Sequence, residues 1–170
     1  MVVLTGPAGI GKTALAVEWA HRNAARFPDG QLFADLRGYG PGTPVDPAAV
    51  LERFLTDLGA PVTGHPSPQD LTARFRSLLA SRRVLVVVDD AGATDQIRPF
   101  LPGGGPALTL VTTRRRPDSL VASDGATVIA VPPTDMGGYG GTTAAVPAAP
   151  AITGVTPGDA SATVTWTAPT

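Results

Sequence analysis

Apolar and polar positions follow two rhythms along this chain, and the rhythm changes at clusters of glycine and proline. Val2-Val3-Leu4 is a continuous apolar run, the mark of a strand covered on both faces, so Val2 to Thr5 is predicted as a buried parallel strand. From Lys12 to about Phe27, Leu15, Trp19 and Phe27 recur at roughly helical spacing, and Pro28-Asp29-Gly30 closes that helix. Gln31 to Leu36 reads as a second strand, followed by a loop from Arg37 to Gly42 that is too rich in glycine to continue it. Asp46-Pro47 supplies a cap and a first-turn proline to a helix whose apolar face is Val50, Leu51, Phe54, Leu55 and Leu58, with Gly59 as its stop. Ser67 to Asp70 repeats the start signal, and Leu71, Phe75, Leu78 and Leu79 form the buried face of the third helix.

Val84 to Val88 is an unbroken apolar run that ends in Asp89-Asp90, and it reads as a central parallel strand. Thr94 to Leu101 suggests a short helix before the turn at Pro102 to Pro106. Ala107 to Val111 is a fourth strand that delivers Thr112, Thr113 and Arg114 to the edge where Asp89 and Asp90 lie, and Ala126 to Val131 is a fifth. Strands alternating with helices predict a three-layer α/β domain built on a parallel sheet. Beyond Pro133 the pattern fades. Thr134 to Thr143 has the composition of a flexible linker. Alternation returns where Val164 and Trp166 stand between threonines, as in a half-buried strand.

Composition narrows the picture modestly. The 170 residues suit one domain and a remainder, and 43% apolar content is ample for a core. A net charge of −1 with 16% charged residues gives no electrostatic case for nucleic-acid binding, and Arg114-Arg115-Arg116 is too small a cluster to change that. The absence of cysteine excludes disulfides and thiolate metal sites. No stretch has the length of a membrane span and no signal peptide is evident, so the expected location is cytoplasmic. His21 and His65 are assigned to the surface, without metal-ligating company.

The chemistry concentrates in two places. Gly6-Pro7-Ala8-Gly9-Ile10-Gly11-Lys12-Thr13 matches G-x-x-x-x-G-K-[ST], between a strand and a helix as the phosphate-binding loop requires. Gly6, Gly9 and Gly11 let the backbone curl so that N–H groups converge on an anion, and the dipole of the following helix adds to them. Lys12 is placed to neutralise phosphates, and the Thr13 hydroxyl to ligate Mg²⁺; Ala14 completes the binding stretch. A chance glycine-rich turn is the plain alternative. The second place is the end of the third strand. One carboxylate there can hold Mg²⁺ and the next can orient water, unless the strand simply ends in a solvated turn. Arg114 would read a γ-phosphate, because a guanidinium matches phosphate geometry, while Arg115 and Arg116 face solvent.

Together with Phe33-Ala34-Asp35-Leu36-Arg37-Gly38-Tyr39-Gly40-Pro41, Val84 to Asp90 and Leu110-Val111-Thr112-Thr113-Arg114, the loop resembles the NB-ARC (STAND-class) NTPase module of actinobacterial SARP-type transcriptional regulators. The resemblance covers about residues 1–133. It implies a five-stranded sheet in the order 5-1-4-3-2, ATP or ADP as ligand with Mg²⁺, Thr13 and Asp89 on the metal, Asp90 supporting hydrolysis, and Arg114 sensing the γ-phosphate. Lys12, Asp90 and Arg114 are then the catalytic candidates. Against that family the domain is expected to be truncated at both ends, leaving the site wet and hydrolysis weak or absent.

Residues 134–145 follow as linker. Residues 146–170 resemble the opening of a fibronectin type III domain, with Ile152 on a first strand, a turn at Pro157-Gly158-Asp159, and Trp166 on a second strand. A tail of two strands is expected to be poorly ordered.

The leading expectation is thus the nucleotide-binding module of a regulatory switch. It would work through protein partners on its switch surfaces, without direct nucleic-acid or membrane contact. The rival is a non-catalytic remnant or interaction fragment of a regulator. An extracellular adhesion fragment is a third reading, which the lack of a signal peptide disfavours.

Overall fold

The computed structural model describes residues 1–40 and 42–132, together with strands at 151–157 and 162–167. Five parallel strands form one sheet: β1 (Val2–Thr5), β2 (Gly30–Asp35), β3 (Val84–Ala91), β4 (Leu108–Thr113) and β5 (Thr127–Ala130), in the order β2-β3-β4-β1-β5. This is the order the family resemblance implied, read from the other edge. β1 lies between β4 and β5, with Val3 opposite both Val111 and Val128. Its three apolar residues are buried to 2% exposure or less, as a strand covered on both faces must be.

Helix α1 (Lys12–Arg22) covers one face of the sheet, packing Leu15, Trp19 and Ala20 against Leu4, Leu85, Val87 and Leu110. The other face carries α2 (Pro47–Asp57), α3 (Pro68–Leu79), α4 (Thr94–Ile97) and α5 (Asp118–Asp124), which close over Val84, Val86, Val88 and Val111. On this side Phe54 is the hub, with ring centroids 6.1 Å from Phe75 and 5.9 Å from Phe100. On the α1 side Phe33, on edge strand β2, stays 47% exposed.

The expected caps are present. The Asp46 side chain accepts from the Ala48 N–H with Pro47 in the first turn, and Ser67 and Asp70 form a reciprocal capping box. Two elements differ from the sequence reading. The first helix ends at Arg22 instead of running to Phe27: Asn23 leaves helical geometry at φ −102° and ψ 11°, and its Nδ2 donates to the Trp19 carbonyl at 2.9 Å. A 3-10 turn at Ala24–Arg26 then brings Phe27 back against Trp19, edge to face at 6.2 Å. No helix was anticipated between Arg116 and Ala126, yet α5 stands there; it is seven residues long and Leu120 is its buried anchor. A pattern so short leaves no period to detect. The helix expected at Thr94–Leu101 divides into α4 and a 3-10 turn at Arg98–Phe100, where Pro99 cannot donate to the helical ladder.

Strands β6 (Ala151–Pro157) and β7 (Ala162–Thr167) form a separate antiparallel pair with Ile152 opposite Trp166 and Val155 opposite Val164. The linker at 134–145 and the tip of the predicted turn, Gly158-Asp159, lie outside the described residues. Among the described residues no helix is long and apolar enough to cross a membrane.

Candidate functional site

Every strand of the sheet points its C-terminal end the same way, so the loops after β1, β2, β3 and β4 meet at one rim. That rim is where open parallel sheets hold ligands. A cleft opens there, lined by Ala8, Gly9, Gly11 to Ala14, Asp35, Asp89, Asp90, Thr112 and Arg114. Residues 89 to 114 thereby meet residues 8 to 14 through the adjacency of β1, β4 and β3 in the sheet.

The loop from Gly6 to Gly11 turns out of β1 into α1. Gly6 has φ 154°, and a Cβ at that position would stand 2.7 Å from the Val131 carbonyl oxygen, so the loop packs too closely on the end of β5 for any side chain. Gly9 and Gly11 also carry positive φ, 77° and 88°. At the head of α1, the Lys12 ammonium folds back over its own loop, donating to the Gly6 carbonyl at 2.9 Å and the Pro7 carbonyl at 2.7 Å. Burial lowers the affinity of Lys12 for its proton below the ordinary lysine value; the nearby Arg114 charge adds to this, while Asp90 and Asp89 oppose it.

Thr13 Oγ1 donates to Asp89 at 2.9 Å from each carboxylate oxygen. Asp89 is only 7% exposed, and it also accepts from the Thr112 hydroxyl. Among the described residues no basic side chain forms an ion pair with it. A buried carboxylate with hydroxyl donors but no counter-charge, beside a second hard oxygen donor, fits a small divalent cation. No group of three or more His, Cys, Asp or Glu among the described residues could hold such an ion alone. The donor set therefore suits Mg²⁺ that takes its remaining oxygens from water and phosphate.

Consecutive residues of a strand point to opposite faces, so Asp89 and Asp90 should not share a cleft. They do, because β3 bulges. Val88 pairs with Val111 and Ala91 with Thr113, so Asp89 and Asp90 together face the single residue Thr112. Asp90 takes φ 49°, in the left-handed region that aspartate tolerates better than most residues. Thr112 holds the distortion: its hydroxyl accepts from the Asp90 N–H at 3.0 Å and donates to Asp89.

Arg114 Nε lies 3.7 Å from Asp90 Oδ1, and its guanidinium sits 4.7 Å over the Tyr39 ring. Arg115 and Arg116 are exposed, and Arg116 pairs with Asp118. The structure thus gathers Lys12, Thr13, Asp89, Asp90 and Arg114 around one cleft, with Ala8, Gly9, Gly11 and Ala14 also lining it and Gly6, Pro7 and Ile10 in the turn outside the lining. Sequence reasoning brought Thr112 to this edge without giving it a role, and it missed Asp35 and Tyr39 as parts of the rim. Thr112 and Tyr39 lay inside quoted motifs, but no local signal marks a bulge partner or a ring that meets an arginine 75 positions away.

Comparison with known proteins bears on the family and the fold. The AAA domain family profile matches residues 1–113. The regulatory protein AfsR of Streptomyces coelicolor is 48% identical over 114 residues, covering 66% of this chain and 11% of that protein. AfsR of Streptomyces griseus is 44% identical over 114 residues, covering 66% of this chain and 12% of that protein. The chain thus spans only about a tenth of the length of these curated relatives. Among solved structures, a chain in the structure of Drosophila ORC bound to GC-rich DNA and Cdc6 aligns with a TM-score of 0.56 at 11% identity, over 79% of this chain and 51% of that one. At that identity the likeness speaks for the fold alone. With a phosphate-loop strand inside a five-stranded parallel sheet and a profile match over its first 113 residues, this chain belongs to the AAA domain family.

Proposed function

We propose that residues 1–133 form the nucleotide-binding module of a regulatory protein of the NB-ARC (STAND) kind, taking ATP or ADP with Mg²⁺. The observation that carries this reading is the Lys12 ammonium held over the mouth of its own loop, at 2.9 and 2.7 Å from the Gly6 and Pro7 carbonyls, beside the Thr13–Asp89 contact. An arriving phosphate exchanges those two ammonium–carbonyl bonds for bonds in which donor and acceptor are both charged. Loop N–H groups and the head of α1 cradle the anion, and Thr13 and Asp89 hold Mg²⁺. Bound Mg²⁺ would neutralise charge shared between the outer phosphates.

The chain's own residues supply the rest. Asp90 stands at the rim to accept a hydrogen bond from a water aimed at the γ-phosphate, and Arg114 offsets charge on its oxygens. The cleft is open and two of its charged members are part-exposed, Arg114 at 39% and Asp90 at 27%. Solvent weakens each electrostatic contribution at such a site, so hydrolysis is slow and occupancy, more than turnover, is the output. Similarity to AfsR regulatory proteins supports a switch read by attached protein segments.

The proposed organisation continues with a linker at 134–145 and a partial fibronectin type III segment at 146–170. The antiparallel pairing of β6 with β7, which sets Ile152 opposite Trp166, supports the latter.

Thermal denaturation of the chain with Mg²⁺ and ATP, ADP or inorganic phosphate tests the module. Ligand at a hundred times its dissociation constant adds about 2.7 kcal/mol of stability, which at this size raises Tm by roughly 5–11 °C. The rise is expected with ATP and ADP and is lost in Lys12→Ala. An unchanged Tm in every nucleotide would contradict the reading.

A further inference from the structure

The segment after β2 is built to bring one ring to Arg114. The Asp35 carboxylate accepts the Arg37 N–H at 2.9 Å, turning the chain at Arg37, where φ is 50°. Leu36 N–H then donates to the Asp89 carbonyl at 2.9 Å and Gly38 N–H to the Asp90 carbonyl at 2.7 Å, carrying β2 onto the bulged end of β3. Gly38 and Gly92 touch backbone to backbone, so closely that a Cβ on Gly92 would stand 2.6 Å from the Gly38 carbonyl oxygen. With the backbone so fixed, Tyr39 N–H donates to Asp90 Oδ2 at 3.2 Å, and its hydroxyl lies 3.4 Å from both the Gly92 carbonyl and Thr113 Oγ1. The ring is tied at both ends. Arg114 rests on it, its guanidinium carbon 4.7 Å from the centroid.

We propose that Tyr39 is a positioning residue for Arg114: its ring holds the guanidinium at the cleft so that the arginine discriminates a nucleoside triphosphate from a diphosphate. The inference rests on the nucleotide reading above and deepens it. The Asp90 pair alone does not fix Arg114, because its separation is 3.7 Å and both partners are partly exposed, where ion pairs contribute little. A ring face adds attraction for a planar guanidinium and leaves its edge N–H groups free for phosphate oxygens. An arginine already ordered loses less freedom when a γ-phosphate arrives.

The test is titration of the full chain, with Mg²⁺, against fluorescent ADP and a fluorescent non-hydrolysable ATP analogue. Wild type is expected to favour the ATP analogue. Tyr39→Leu lowers the ratio of the two affinities by about three- to tenfold. Tyr39→Phe, which keeps the ring, retains the ratio, and Tyr39→Leu adds no further loss in an Arg114→Ala background. Arg114→Lys, which keeps the charge but not the guanidinium, falls with Tyr39→Leu and provides the measurement if that variant does not fold. An unchanged ratio in Tyr39→Leu or Arg114→Lys, an equal loss with Arg114 already removed, or no preference in wild type would overturn the proposal and leave nucleotide binding standing. No binding of either nucleotide by folded wild type would overturn the nucleotide reading itself, and this inference with it.

Discussion

Thr13 Oγ1 stands 2.9 Å from both carboxylate oxygens of Asp89, joining the first turn of α1 to the C-terminal end of β3 across 76 positions of sequence. The contact joins the two chemically informative stretches of the chain into one site. It depends on sheet order: β4 separates β1 from β3, so the turn of α1 must reach past one strand to meet the carboxylate.

Thr112 is expected to govern the site although it need not touch ligand. Its hydroxyl accepts from Asp90 N–H and donates to Asp89. Thr112→Val keeps the shape and removes both bonds, leaving a part-buried N–H without a partner, at a cost of about 1–3 kcal/mol. Denaturant unfolding should show that loss, and nucleotide titration should show a weakened Mg²⁺ effect. Wild-type stability in this variant would mean that the bulge holds without its bridge.

Gly38 and Gly92 set the distance between the loop after β2 and the end of β3. Gly38→Ala places a methyl group against the Gly92 backbone, and because backbone cannot rotate away, the loop must move. A loss of roughly 1–3 kcal/mol is expected, with a weaker effect from alanine at Gly40, where a Cβ meets open space. Thermal unfolding of the two variants side by side checks the contrast.

Much of this was legible in the sequence, for reasons that can be named. Val2-Val3-Leu4 and Val84–Val88 are uninterrupted apolar runs because both of their faces are covered, and the structure buries all of them to 3% exposure or less. Ser67 and Asp70, like Asp46 and Pro47, are local signals whose effect reaches only one turn, so the helix starts were readable without tertiary information. The phosphate loop was readable because its residues are contiguous.

The bulge was not. Alternation alone would send Asp90 to the α2–α3 side with Val86 and Val88; what turns it toward the cleft is a pairing of two residues with one on another strand. Tyr39 was missed for the same reason: it meets Arg114 only because β2, β3 and β4 are neighbours. The end of α1 escaped notice because Phe27 keeps helical spacing from Trp19 yet packs on it from a 3-10 turn.

The capping box predicts a pH effect with a definite sign. Hydrogen bonds from the Ser67 side chain and backbone hold the Asp70 carboxyl below its ordinary value. A carboxylate depressed in the folded state stabilises above its unfolded value, and that stabilisation is lost as pH falls through the folded one. Ser67→Ala should lower stability at neutral pH, and the gap between variant and wild type should narrow under acid. A gap that widens as pH drops would contradict the assignment.

The most direct test of the central claim is equilibrium titration of the 170-residue chain with a fluorescent ADP analogue, with and without Mg²⁺, beside Lys12→Ala and Asp89→Asn. The account predicts saturable binding that Mg²⁺ strengthens by at least about tenfold, which corresponds to 1.4 kcal/mol. Lys12→Ala should lose the binding, and Asp89→Asn should lose chiefly its dependence on Mg²⁺. Absence of saturable binding by a chain folded by circular dichroism, or equal binding in Lys12→Ala, would contradict it.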